Sequence, residues 1–181
     1  LVSEDGSAWR SMSSGTTAPL GGIVCNSRSH VAVGAGGTIL SSEDGRTWEV
    51  RQSNVTTDLA AVTWSGKEFV VVGAGGTMLR SVDGIAWENV STPTDDDLVA
   101  VTWTGSNVVA VGFQDRALAT SDFNQWQQGR MHLFDGRANA LLWHQGLALA
   151  VGGFGSCAVS VDFKNWLGSG TLVEPTGNDL N

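Results

Sequence analysis

One unit of sequence recurs along most of this chain at an almost constant spacing. The segment VAVGAGGTILSSEDGRTW at 31–48 returns as VVVGAGGTMLRSVDGIAW at 70–87, and more divergent copies follow at 109–126 and 149–166. The repeats close on five tryptophans separated by 39, 39, 39 and 40 residues: Trp9, Trp48, Trp87, Trp126 and Trp166. A fixed period between about 20 and 50 residues predicts a solenoid, a propeller or an array, because each unit buries its apolar face against its neighbours.

Each repeat is expected to form four short β-strands, since its apolar runs are bounded by Gly and Asp turns. The second strand is apolar throughout in every copy, as at 70–72, which is typical of a strand covered on both faces. The fourth strand is more polar, as expected for an edge that faces water. In the second repeat the strands are predicted at 59–64, 69–72, 77–81 and 86–90.

This gradient from an apolar inner strand to a polar outer strand predicts an all-β fold, a β-propeller of four-stranded antiparallel blades. The chain would hold about 4.5 repeats of 39–40 residues. A β-helix is the second choice, because its coils usually have shorter strands and no such gradient.

The whole chain, 1–181, is interpreted as a single repeat array. Its last segment, PTGNDL at 175–180, echoes PTDDDL at 93–98, which leads into the first strand of a repeat. We therefore expect a piece of a longer propeller. If 1–181 is instead the whole polypeptide, both ends leave unpaired strands, which favours pairing with another copy to form a homo-oligomer. The expected units are a half-repeat at 1–14, full repeats at 20–52, 59–91, 98–130 and 138–170, and a tail at 171–181 that enters a further repeat.

The charge balance disfavours several classes of partner. The net charge is −8, and the ten basic residues are scattered, whereas a nucleic-acid surface needs clustered Lys and Arg. An anionic membrane surface is disfavoured for the same reason. No apolar run approaches the roughly 20 residues of a membrane helix, so membrane insertion is not expected.

The tryptophans and cysteines are assigned to packing. All eight tryptophans occupy repeat positions, which favours contact between blades over a sugar-stacking platform. Cys25 stands where other repeats have tryptophan, and Cys157 lies three repeats further on. Both are expected to be buried thiols, since repeats so far apart seldom bring two Cα atoms within the roughly 7 Å that a disulfide needs.

The segments SEDGRTW at 42–48 and SVDGIAW at 81–87 resemble the Asp-box, or BNR, repeat of sialidase-like β-propellers. The resemblance covers five copies and nearly the whole chain. It implies that the box is a structural hairpin in which Asp and Ser hold the turn, and it favours an extracytoplasmic or secreted location. The residues given this structural role are Asp5, Asp44, Asp83, Asp122 and Asp162, with Trp9, Trp48, Trp87, Trp126 and Trp166.

The boxes of this chain depart from the family pattern in two ways. Gly follows Asp directly, whereas the family usually has one more residue between them. In the last two copies Phe123 and Phe163 replace that Gly, which predicts that the position does not need a left-handed backbone. The shortened box looks like bacterial repeat proteins and, more distantly, the photosystem II assembly-factor propellers. The latter resemblance implies a seven-bladed scaffold for protein assembly.

No catalytic or metal-binding constellation is evident. A sialidase of the resembled design uses a tyrosine nucleophile, and this chain has no tyrosine. The repeat-equivalent aspartates suit turns better than a glycosidase carboxylate pair. The glycine-rich segment at 34–38 lacks the Lys and following helix of a phosphate loop, and the three histidines show no ligand spacing. No metal and no cofactor are therefore expected.

The places where the repeat breaks are the candidate binding site. In an up-and-down meander the loops between second and third strands share one face with the linkers between blades. The third repeat and its two linkers carry non-repeated polar residues on that face, which is where binding is usually found on a rigid frame. Ordinary solvated loops are the alternative. The candidates are Gln114, Asp115, Arg116, Asp95, Asp96, Asp97, His132, Asp135 and Arg137.

These observations favour a non-catalytic scaffold that recognises a protein or a glycan through loops on one face. The rival hypothesis is a carbohydrate-active enzyme, a glycosidase-like propeller, with part of its site outside this chain.

Overall fold

A computed structural model describes residues 1–168 and arranges them in four antiparallel sheets of four strands each. Within every sheet the strands lie in sequence order. We call the sheets blades 1 to 4, and both the all-β class and the four-stranded antiparallel blades are confirmed. The predicted tail at 171–181, with the end of the fourth repeat, lies outside the described residues.

Each strand is short. Blade 1 comprises β1 (Leu20–Cys25), β2 (His30–Gly34), β3 (Thr38–Ser42) and β4 (Glu49–Arg51). Blade 2 comprises β5 (Leu59–Trp64), β6 (Phe69–Gly73), β7 (Met78–Ser81) and β8 (Glu88–Asn89). Blade 3 comprises β9 (Leu98–Trp103), β10 (Val108–Gly112), β11 (Arg116–Thr120) and β12 (Gln127–Arg130). Blade 4 comprises β13 (Ala138–His144), β14 (Leu147–Gly152), β15 (Cys157–Ser160) and β16 (Leu167–Gly168).

The apolar core lies between blades rather than within them. One cluster joins Val31 and Ile39 of blade 1 to Phe69 and Leu79 of blade 2, and equivalent clusters join blades 2 and 3 and blades 3 and 4. The inner strands contact one another in order, β1 with β5, β5 with β9 and β9 with β13. No comparable contact joins β13 to β1 within the described part of the chain, so the four blades form an open array there.

The closing tryptophans contribute to this core. Trp87 of blade 2 is buried in the cluster shared with blade 1, and Trp166 of blade 4 lies in the cluster shared with blade 3. Trp9, by contrast, is 59% exposed, because the half-repeat that carries it forms only the isolated bridge Val2–Arg10. A large ring therefore fixes one blade on the preceding one only where both blades are complete.

The expectation that both cysteines are buried is wrong for Cys25, which is exposed; Cys157 is half-buried. Successive residues of a strand point to opposite sides of a sheet. In β1, Val24 packs into the core shared with blade 2, so Ile23 and Cys25 point the other way. No full blade covers that side within residues 1–168, and Ile23 is exposed too.

Each turn between third and fourth strands is held by one aspartate. We call the segment from 42 to 48 and its four equivalents the aspartate turns. In the first blade, Asp44 Oδ1 accepts the N–H groups of Thr47 at 2.7 Å and Arg46 at 2.8 Å. The same pair of bonds forms at Asp5, Asp83, Asp122 and Asp162.

These bonds favour the ionised carboxylate, so each aspartate pKa lies below its ordinary value. For Asp44 the N–H groups of Thr47 and Arg46 lower the pKa to about 2. For Asp162 the backbone and side-chain N–H groups of Asn165 lower the pKa to about 2. Such carboxylates stay ionised at neutral pH and do not donate a proton as a general acid would.

The expectation that Phe123 and Phe163 avoid the left-handed region is wrong. Their φ angles are 59° and 61°, close to the 67° of the glycine that occupies the equivalent position in blade 1. In four of the five turns the N–H at this position donates to the hydroxyl that opens the turn, as Phe163 does to Ser160 at 2.9 Å, and the left-handed conformation is kept in all five. Ring packing offsets the strain, since Phe163 is buried with its centroid 5.2 Å from Trp143.

A close backbone approach explains the glycine that ends each second strand. A Cβ atom on Gly73 would lie 2.2 Å from the carbonyl oxygen of Asp58, in the linker that enters the same blade. A Cβ on Gly112 would lie 1.9 Å from the carbonyl oxygen of Asp97. Both clashes are with backbone, so a side chain would push the linker away from the blade.

We predict that Gly73→Ala lowers the free energy of unfolding by about 3 kcal/mol, because the overlap with the Asp58 carbonyl must be relieved by backbone movement. Urea denaturation followed by tryptophan fluorescence measures the change. The matched control is Gly105→Asn, whose site is open and has a left-handed φ of 95°, and which should change stability by less than about 1 kcal/mol. Equal effects of the two substitutions would contradict the close-approach explanation.

Acid should destabilise the blades through the aspartate turns. Because the folded pKa values lie below the unfolded value, the stabilisation is fully present above about pH 4–5 and is lost as the pH falls towards 2. Melting temperatures recorded by circular dichroism from pH 6 to pH 2 should fall in this window. Asp162→Asn should lower the melting temperature at pH 6 and flatten its fall between pH 5 and pH 2; an unchanged slope would argue against a titrating Asp162.

Candidate functional site

The loops between second and third strands meet the linkers between blades on one face, which we call the linker face. In blade 1 the N–H of Gly36 donates to Asp58 Oδ1 at 2.8 Å, and in blade 2 the N–H of Gly75 donates to Asp97 Oδ1 at 2.8 Å. In both cases a linker carboxylate ties down the loop of the preceding blade. The candidate residues of the third repeat lie on this face.

Blade 3 reverses this arrangement. Its loop is a two-residue turn in which Gln114 and Asp115 have φ angles of 58° and 59°. Asp115 Oδ1 accepts the N–H of Leu133 at 2.7 Å, and the Asp115 N–H donates to the Gly136 carbonyl at 2.9 Å. Here the carboxylate comes from the loop and holds a linker that is one residue longer, so Asp115 is engaged within the chain.

Arg116 and Asp96 form a second internal tie. Arg116 Nε and Nη2 both lie 2.9 Å from Asp96 Oδ2, and Arg116 Nη1 donates to Gln128 Oε1 at 3.3 Å. The Thr94 hydroxyl, followed by the hydrogen bond and charge of Arg116, lowers the pKa of Asp96. Both side chains are half-buried, so this pair joins the linker entering blade 3 to its third strand.

The nine predicted site residues therefore fall into two groups. Asp96, Asp97, Asp115 and Arg116 are engaged within the chain, where they hold linkers to a loop or to a strand. The remaining five side chains are exposed on the linker face: Gln114, Asp95, His132, Asp135 and Arg137.

Arg137 contacts both the loop of blade 3 and its own linker. Its guanidinium carbon lies 5.0 Å from the ring centroid of Phe113, with which Arg137 also forms an isolated antiparallel bridge. Its backbone N–H donates to Asp135 Oδ1 at 3.1 Å. A contact of this kind with a ring face uses none of the guanidinium N–H groups as hydrogen-bond donors, so a ligand can accept them.

Sequence reasoning missed two exposed aromatic residues. The rings of Phe134, in the linker between blades 3 and 4, and Phe154, in the loop of blade 4, are 67% and 84% exposed. Their centroids are 5.6 Å apart, and we call them the phenylalanine pair. Phe134 is the eighth residue after the closing tryptophan of its repeat, and the equivalent residues of the earlier linkers are Thr56 and Asp95. An aromatic residue at a position that is otherwise polar is the sequence signal that could have identified it.

Phe154 replaces the glycine that precedes the last glycine of this loop in blades 1 and 2. It keeps the left-handed backbone of that position, with φ at 53°, beside 62° at Gly36 and 61° at Gly75. A Cβ atom at either glycine would meet nothing within 4 Å, although a linker follows both blades. The equivalent positions of blades 1 and 2 therefore face open solvent, and Phe154 is exposed because of its position in the repeat.

Two further kinds of functional feature were sought among the described residues, a metal-binding cluster and a membrane-spanning helix. Among residues 1–168 no group of three or more His, Cys, Asp or Glu side chains is placed to hold a metal ion. The same part of the chain contains no helix long and apolar enough to cross a membrane.

No protein-family model matches the chain, and no curated protein matches it in sequence. Its structure is similar to YCF48 from Cyanidioschyzon merolae, with a TM-score of 0.69 and 21% identity over 84% of this chain and 56% of that one. A structure of YCF48 bound to D1 peptide gives a TM-score of 0.66 at 19% identity, over 84% and 55%. The fold is a β-propeller.

The propeller neighbours also include an ancestral GH74 enzyme, with a TM-score of 0.64 and 12% identity over 87% of this chain and 25% of that one. Identities this low show the fold alone. The chain spans about half the length of the YCF48 structures that it matches.

The two left-handed phenylalanines of blade 4 should respond differently to glycine. Phe154→Gly removes backbone strain and an exposed ring, so the free energy of unfolding should change by less than about 1 kcal/mol. Phe163→Gly removes a buried ring and should cost about 3 kcal/mol. Thermal and urea denaturation of both variants check this, and a loss of about 3 kcal/mol for Phe154→Gly would show that its ring stabilises the fold.

Proposed function

We propose that this chain is a non-catalytic binding propeller, or part of one, whose linker face recognises a segment of another protein. The observation that carries the proposal is the phenylalanine pair, two exposed rings in contact at the point where the repeat pattern breaks. Large exposed apolar side chains that meet each other mark interaction surfaces, because aromatic rings contribute much contact area for little conformational entropy.

The frame beneath the pair supports this use. The linker that carries Phe134 is held at both ends by Asp115, through the N–H of Leu133 and the carbonyl of Gly136. Blade 4 meets the same linker, since a Cβ on Gly153 would lie 2.4 Å from Asp135 Oδ2. A site built on elements fixed in this way binds without a large cost in ordering.

The neighbours are consistent with a protein ligand. One of the solved YCF48 structures holds a D1 peptide, so a propeller of similar fold accepts a peptide. The described carboxylates of the aspartate turns are committed to backbone N–H groups, which favours binding over glycoside hydrolysis for this part of the chain.

Selection from a random twelve-residue peptide library against the immobilised chain tests this function, with a glycan microarray probed in parallel. Enriched peptides should bind the Phe134→Ser/Phe154→Gly double variant at least about ten-fold more weakly than the parent chain, measured by fluorescence anisotropy, because the apolar platform is lost. The control is Val82→Ser/Ile85→Ser, which removes two exposed apolar residues from an aspartate turn on the other face.

Equal weakening by the two double variants would contradict a site on the linker face. Glycan binding without any peptide enrichment would replace the protein ligand by a carbohydrate. Hydrolysis of an arrayed glycan that stops on substitution of a carboxylate would establish the enzymatic alternative instead.

A further inference from the structure

We propose that Arg137 and the phenylalanine pair form one subsite, which binds a protein segment carrying an apolar side chain next to a carboxylate. The inference rests on the proposed function and specifies the chemistry of the segment. It follows from three observations: the Arg137 guanidinium has no carboxylate partner within residues 1–168, it lies over the ring of Phe113, and the backbone at Phe154 is strained.

Arginines and aspartates are both concentrated at the linker end of blade 3, where Asp95, Asp96, Asp97, Asp115 and Asp135 also lie. The net charge is −8, yet three of the ten basic residues, Arg116, Arg130 and Arg137, lie at the linker end of this blade. Arg116 is paired with Asp96. Arg130 and Arg137 are exposed, and within residues 1–168 neither lies within 4.0 Å of a carboxylate oxygen of an acidic side chain.

The carboxylates of Asp115 and Asp135 each make a contact within the chain. Asp115 accepts the N–H of Leu133, and Asp135 accepts the N–H of Arg137 through Oδ1 while its Oδ2 lies against Gly153. The Arg137 guanidinium, by contrast, donates no hydrogen bond within residues 1–168, so its N–H groups are available to a ligand. A guanidinium binds a carboxylate through two parallel hydrogen bonds, which fixes both position and orientation.

Arg137 lies close to the phenylalanine pair, so a carboxylate bound to it would be next to the two rings. The stacking on Phe113 limits the positions of its side chain, and it lies in the same linker as Phe134, three residues away. The linker contacts the loop of blade 4 through Asp135 and Gly153, which places the ring of Phe154 beside that of Phe134. A cation and an apolar platform therefore stand within one short stretch of surface.

The backbone of Phe154 indicates that the ring serves a purpose other than stability. A phenylalanine at φ 53° costs about 1 kcal/mol relative to an unstrained site, and blades 1 and 2 use glycine there. The ring of Phe163 offsets the same cost by burial, but that of Phe154 is 84% exposed. Strain that the fold does not offset is typical of binding positions.

The chemistry of the segment follows from these groups. An apolar side chain can lie on the two rings, and a carboxylate can accept the Arg137 N–H groups. The carboxylate can belong to an Asp or Glu side chain or to the end of a chain, and both sources present the same two oxygens.

The test uses two twelve-residue libraries, one displayed with a free amino terminus and one with a free carboxyl terminus. The tightest peptide of each that competes for the linker face is synthesised with its acidic residues intact, with Asp and Glu changed to Asn and Gln, and with its carboxyl terminus amidated. Affinities for the full chain, Arg137→Gln, Arg137→Lys and the control Arg28→Gln are measured by anisotropy. Arg28 is an exposed arginine in the loop between β1 and β2 and forms no ion pair within the described residues.

We expect an acidic group within three residues of a large apolar side chain. Its neutralisation and Arg137→Gln should each weaken binding about ten-fold, the two changes together should weaken it little more than either alone, and Arg28→Gln should have no effect. Arg137→Lys should recover part of the loss. The library that yields the tighter peptide, and the effect of amidation, distinguish a side-chain carboxylate from a terminal one.

Peptides that need the phenylalanine pair but bind Arg137→Gln as tightly as the parent chain would overturn this inference and leave the proposed function standing. Additive effects of the two neutralisations would also overturn it, because they would place the carboxylate elsewhere. Failure of both libraries to yield any linker-face peptide would overturn the proposed function together with the inference.

Discussion

The rest of the structure depends on burial between blades. A single four-stranded sheet of this chain has apolar side chains on both faces of its second strand, and only a neighbouring blade can cover them. The three clusters that result each draw residues from two blades, as Val72 of blade 2 and Leu118 of blade 3 do. The loops inherit their positions from this packing, because each linker crosses directly over a glycine at the end of a second strand.

On the linker face, hydrogen bonds from backbone N–H groups to aspartate carboxylates join loops to linkers in two different ways. A linker aspartate holds the loops of blades 1 and 2, whereas a loop aspartate, Asp115, holds the linker that follows blade 3. With the carboxylate on the loop, the linker that is one residue longer is still hydrogen-bonded to the loop of blade 3. It also explains why substituting Asp115 or Arg116 would disturb the loops themselves, so such variants are poor probes of a binding site.

The same reversal makes the end of blade 3 different from its neighbours. The longer linker presents Phe134 and Arg137, and the loop of blade 4 presents Phe154 beside them. The face combines hydrogen-bonded loops and linkers with exposed aromatic side chains and an arginine that has no carboxylate partner within the described residues. The proposed recognition of a protein segment would depend on a few of these side chains, while the repeated part of each blade supports them.

The sequence by itself determined the architecture, since the tryptophan spacing, the apolar second strands and the Asp turns repeat often enough to define four-stranded blades. It also located the break in the repeat at the third repeat and its two linkers. It did not reveal that Asp96, Asp97, Asp115 and Arg116 would be engaged within the chain, because those bonds join residues about 20 positions apart across a linker.

The exposure of Cys25 and of the phenylalanine pair, and the left-handed backbone of Phe123 and Phe163, were likewise decided by tertiary structure. A residue type specifies what a side chain can contact, but the packing of one blade on the next specifies which side of each sheet is covered and which turn geometry is retained.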